Sequence, residues 1–99
     1  IECLAHTATP PRPLNVTGRE KVSIRELAAR FGELLGKQPA IVGTEAPTAW
    51  LVDASQSFEL FGPVTVSLEE MIEATARWVQ AGGDTLGKPT HFDSRDGRF

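Results

Sequence analysis

The sequence predicts an α/β architecture: a βαβ parallel crossover followed by two further helices. Three observations lead there. First, Ser23, Asp53 and Ser67 each stand three residues before Glu26, Gln56 and Glu70, the spacing of a reciprocal helix cap. Second, each of these signatures opens a stretch with apolar residues at helical spacing, and each stretch ends at or just before glycine, at Gly36, Gly62 and Gly82-Gly83. Third, two short apolar runs, at 13–17 and 39–43, flank the first of these stretches. Strand, helix, strand in close succession reads as a right-handed crossover unit.

Taken in order, residues 1–12 read as the end of a preceding helix and a linker. Ile1 to His6 has the look of last helical turns, and Thr9-Pro10-Pro11-Arg12-Pro13 stops them by removing backbone donors. The chain opens on Ile1, and its one methionine is Met71, so the reading predicts a piece of a longer polypeptide. Residues 13–83 form the body. Leu14-Asn15-Val16-Thr17 is the first strand candidate, closed by Gly18. The helix predicted at 24–36 places Ile24, Leu27, Ala28, Phe31, Leu34 and Leu35 on one face. Its wet side offers Glu26–Arg30 and Glu33–Lys37 pairs in the favourable order. Gly32 inside it costs about 1 kcal/mol relative to alanine, which points to close packing against backbone. Ala40-Ile41-Val42-Gly43 is the second strand candidate.

Trp50-Leu51-Val52 then leads into a short helix at 54–61. Pro63 starts a connector, and the last helix spans 68–81. Its predicted inner face carries Leu68, Met71, Ile72, Thr75, Trp78 and Val79, which makes Trp78 a core residue. Residues 84–99 form a charged, glycine-containing tail with Phe92 and Phe99 as docking points.

Composition narrows the function. At 99 residues the chain holds one domain at most. A net charge of −3 argues against a nucleic-acid surface. The lone Cys3 supports neither a disulfide framework nor a cysteine-based metal site, and it fits a reducing, cytoplasmic setting. No apolar run approaches the ~20 residues of a bilayer span.

The motifs that resemble chemistry read better as structure. Gly82 to Lys88 fits the first seven places of a P-loop, but Pro89 stands where Ser or Thr must hold the metal, and a helix precedes it. Val22 to Gly32 looks like the start of a helix-turn-helix, yet no basic reading helix follows. His6 and His91 have no partners at metal-ligand spacing. Asn15-Val16-Thr17 matches a glycosylation acceptor that is idle in a reducing compartment.

Taken together, the motifs at 13–81 resemble the C-terminal, substrate-binding portion of the extended short-chain dehydrogenase/reductase family, also called the NAD-dependent epimerase/dehydratase family. Leu14-Asn15-Val16-Thr17-Gly18 resembles the family's strand with Asn and a following Gly. Val22 to Ala28 with Leu35-Gly36-Lys37 resembles its "val-ser/thr-ile-x-glu-leu-ala … leu-gly-lys" helix. Asp53-Ala54-Ser55, Phe61-Gly62-Pro63 and Val66 to Ile72 with Trp78 resemble its closing segment.

The resemblance implies that the dinucleotide loop and the Tyr-x-x-x-Lys pair lie upstream, in an N-terminal Rossmann domain that would be the principal partner. This chain has no tyrosine, so the reading assigns it no catalytic and no cofactor-binding residue. NAD or NADP is implied for the parent enzyme, which would be an oxidoreductase, epimerase or dehydratase. The remaining partner expectations are a small-molecule substrate, no nucleic acid, no membrane, and self-association of the isolated piece. A free-standing interaction module is the competing reading, and it requires a self-contained core.

In nucleotide-sugar members of the family, the stretch before the final Asp-x-Ser-Lys resembles Arg-x-Gly-Asp, and its arginine grips the diphosphate. The matching stretch here, Gly43 to Trp50, has no basic residue, and Glu45 would repel a diphosphate. Gln56 also replaces the usual lysine. The expected substrate is therefore a small hydroxy or carbonyl compound contacting Thr44, Glu45, Thr48 and Trp50. The alternative is that this segment only connects two elements.

Overall fold

The computed structural model describes residues 2–88. Its regular elements are a 3₁₀ helix at Glu2–His6, then α1 (Ile24–Leu35), α2 (Ser55–Phe61) and α3 (Leu68–Gln80). The three helices lie where periodicity and glycine stops place them, and α1 and α3 also start on their predicted caps.

The βαβ crossover does not form. Among the described residues there is no strand, so the α/β expectation is corrected to an all-helical architecture. The reason is the lack of both a ladder partner and a covered face. Asn15 Nδ2 donates to the Asp53 carbonyl at 3.0 Å, which ties the 14–17 segment to the start of α2 rather than to 40–43. Val16 remains 65 % exposed and Val42 89 %. A parallel pair with neither face buried has too little to hold it in water.

The caps explain where the helices begin. Ser67 has extended backbone, its Oγ accepts from Glu70 N–H at 3.2 Å, and its own N–H donates to the Glu70 carboxylate at 2.8 Å. That closes both halves of a capping box. Ser23 supplies the side-chain half for α1, accepting from Glu26 N–H at 3.4 Å. The predicted box at Asp53 and Gln56 is not formed. The cap residue is Ala54, and the Asp53 carboxylate turns onto Ser55 N–H at 2.9 Å. A short acidic side chain bonding the backbone two residues on makes an Asx-type turn, which competes with capping further into the helix.

The exits of α1 and α3 share one geometry. At α1, Lys37 N–H reaches Gly32 O at 2.9 Å and Gly36 N–H reaches Glu33 O at 3.3 Å, with Gly36 left-handed at φ 63°. At α3, Gly83 N–H reaches Trp78 O at 2.9 Å and Gly82 N–H reaches Val79 O at 3.1 Å, with Gly82 at φ 70°. Both are Schellman closures, which need a residue that tolerates positive φ. Gly32 has a second role. A Cβ there would lie 2.6 Å from Lys37 O and 2.8 Å from Pro39 Cδ, so the chain leaving α1 folds back over it.

α1 packs on α3. Gln80 Nε2 donates to Leu34 O at 2.8 Å at one end of this contact. Arg30 reaches the Glu69 carboxylate at the other, with Nε at 2.9 Å. The predicted Glu26–Arg30 and Glu33–Lys37 pairs are replaced. Arg30 pairs with Glu69 and with Glu33 at 3.2 Å, and Lys37 has left the helix.

Among the described residues few side chains are buried: Ala54, Ile72, Ala76 and Ser57. Trp78 is not a core residue; it is 57 % exposed, and Met71 and Val79 are about as open. Ile72 and Ala76 lie four residues apart on the buried stripe of α3. Met71 and Trp78, seven apart, occupy the adjoining stripe. The chain exposes 8994 Å², where a folded monomer of this mass exposes roughly 5,500 Å². The excess is nearly twice what the residues outside the described range could contribute at full exposure.

Candidate functional site

Two depressions mark the described surface. One, of about 420 Å³, lies at the foot of α2 between Gly18, Arg19, Val52, Asp53, Ser55, Phe58 and Glu59. The other, of about 450 Å³, is formed by the folded-back exit of α1, between Ala29, Gly32 and Glu33 on one side and Lys37 to Pro39 on the other.

The first depression gathers two stretches of chain, 18–19 and 52–59. The Asn15–Asp53 bond brings the 15–19 stretch against the start of α2. Arg19 then lays its guanidinium over the Phe58 ring, with the central carbon 4.3 Å from the ring centroid. A cation at this distance from a ring centroid gains cation–π attraction. Asp53 is held below its ordinary carboxylate range, first by the Ser55 backbone N–H and then by the Ser55 side chain. It therefore stays ionised at neutral pH.

The residues expected to contact substrate are placed differently. Thr44, Glu45, Thr48 and Trp50 are all exposed in the segment between α1 and α2. None of the four lines either depression. Glu45 forms an ion pair with Arg25 Nε, from the first turn of α1. Glu45 is not a bare negative charge, because a guanidinium arrives from a residue 20 positions earlier. Arg19 is a lining residue that the sequence reading missed, and Arg25 is the missed partner of Glu45, outside both depressions. Nothing local in the chain marks them, since each meets a partner far along the chain.

Other chemical candidates resolve into structure. The Arg30 guanidinium is held above its ordinary value, chiefly by its hydrogen bond to Glu69 and next by that to Glu33, and it serves as a clamp between helices. His6 meets Phe61 edge-on, with ring centroids 5.4 Å apart. Cys3 is a free, exposed thiol. Gly82 and Gly83 of the P-loop-like stretch close α3. No group of three or more His, Cys, Asp or Glu among the described residues is placed to hold a metal ion. No described helix is long and apolar enough to cross a membrane. His91, Phe92 and Phe99 lie outside the described residues. Compared with protein-family models, curated proteins and solved structures, the chain matches none.

Proposed function

We propose that this chain is a substrate-binding lobe that completes a larger NAD(P)-dependent oxidoreductase, epimerase or dehydratase acting on a small hydroxy or carbonyl compound. By itself the lobe is not catalytic. The observation that carries this reading is the uncovered apolar surface. Trp50, Leu51, Val52, Val64, Val66, Met71, Trp78 and Val79 are each close to half exposed or more. A free-standing interaction module buries a core of its own, whereas a lobe resting on a larger domain leaves such surface for that domain. The order of the motifs at 13–81 supplies the family context.

The reading is tested on the polypeptide in which the chain occurs. The residues preceding Ile1 are expected to include a glycine-rich strand–turn–helix and, nearer, a Tyr-x-x-x-Lys pair. That polypeptide is then expected to oxidise or reduce a member of a panel of small alcohols, hydroxy acids and carbonyls in the presence of NAD(P). A preceding sequence without either motif would defeat the proposal.

A further inference from the structure

We infer that the depression at the foot of α2 binds a small 2-hydroxycarboxylate, with the ligand's carboxylate on Arg19 and its hydroxyl on Asp53. Two observations carry this. Arg25, Arg30 and Arg77 each hold an acidic partner, whereas Arg12 and Arg19 form no ion pair among the described residues. Of these two it is Arg19 that lines the depression, with its guanidinium over the Phe58 ring. A planar guanidinium matches a carboxylate through two parallel hydrogen bonds.

Asp53 supplies the second contact. One of its oxygens accepts Ser55 N–H, and an ionised carboxylate has about four acceptor sites, so capacity remains toward the depression. As an acceptor without a proton, it selects a ligand group that donates, and a hydroxyl is the smallest such group. Charge sets the upper limit on the ligand. Arg19 offers one positive charge while Asp53 and Glu59 line the same depression, so a monoanion binds only through direct pairing with Arg19, and a phosphate dianion or diphosphate is opposed more strongly. A volume of about 420 Å³ accommodates a molecule of this size. The site stands on geometry alone and requires nothing of the proposed redox role.

Saturation-transfer NMR on the full polypeptide tests it with three probes: lactate, propanoate, which lacks the hydroxyl, and propane-1,2-diol, which lacks the carboxylate. Lactate is expected to bind in the millimolar range. Propanoate is expected to bind about fivefold more weakly for the loss of one hydrogen bond, and the diol not measurably. Arg19→Gln is expected to abolish the lactate signal, and Arg19→Lys to weaken it several-fold, because lysine keeps the charge but loses the fork. Asp53→Ala, which removes the acceptor that asparagine would keep, is expected to bring lactate and propanoate to equal affinity. Circular dichroism confirms helix content for each variant, and if Asp53→Ala is misfolded the probe series and the Arg19 variants decide. Equal signals from the three probes, no saturable lactate signal, or an undiminished signal in Arg19→Gln would each overturn the assignment.

Discussion

Alanine at Gly83 gives the sharpest stability test, because the structure states what the added methyl meets. A Cβ there would lie 2.1 Å from Trp78 Cε2 and 2.3 Å from Nε1, far inside contact distance. The ring must therefore swing away and break the bond from Trp78 Nε1 to Asp84 O, 3.1 Å long. That hydrogen bond, half open to water, is worth about 0.5–1.5 kcal/mol. The ring is 57 % exposed. Its covered remainder, roughly 100 Å², caps the lost burial at about 2.5 kcal/mol, of which only the part against 83–84 disappears. A total of about 1–2 kcal/mol is expected. The assay is urea unfolding of Gly83→Ala in a Trp50→Phe background, where emission reports Trp78 alone. The expected result is a lower midpoint, an unchanged slope and a red-shifted native emission. A midpoint and emission matching the parent's would refute the contact.

Gly32→Ala is expected to destabilise α1 more than the usual alanine gain can offset, since its Cβ would meet Lys37 O at 2.6 Å. A thermal midpoint at or above the parent's would contradict this. Ser67→Ala is expected to cost about 1 kcal/mol at neutral pH through loss of the α3 cap. Glu70 in that box is held below its ordinary 4.5 by the Ser67 backbone N–H, which alanine keeps, and next by the Ser67 hydroxyl, which alanine removes, so the hydroxyl's contribution is present above that value. The contribution is lost as pH falls through the lowered one, and the Ser67→Ala penalty measured by urea unfolding should shrink in acid. Arg30→Gln is expected to loosen α1 from α3, and because the clamp with Glu69 is solvent-exposed the parent's advantage should fade in about 1 M salt. A salt-independent difference in unfolding midpoint would count against an electrostatic clamp.

What the sequence made legible is local. Ser23, Ser67, Gly36, Gly62 and the Gly82-Gly83 pair act within one helical turn, so their spacing fixes the helix ends whatever the rest of the chain does. The strands at 13–17 and 39–43 depend on partners many residues away. Their β-prone composition does not show that Asn15 would bond Asp53 instead. The same limit explains Trp78: helical periodicity identifies an apolar face but not which part of that face a neighbour covers. At the candidate site, Asp53 stood out for its cap-like spacing, whereas Arg19 and Arg25 acquire meaning only from Phe58 and Glu45, brought to them by folding.

The central claim, a lobe that completes a dinucleotide enzyme, is tested most directly by calorimetric titration of NADH and NADPH. It is run on the 99-residue chain and on the polypeptide that carries it. Micromolar binding of one dinucleotide is expected for the longer polypeptide and none for the chain alone, whose described residues hold no glycine-rich turn between strand and helix to cradle a pyrophosphate. Binding by the isolated chain, or no binding by the longer polypeptide, would contradict it.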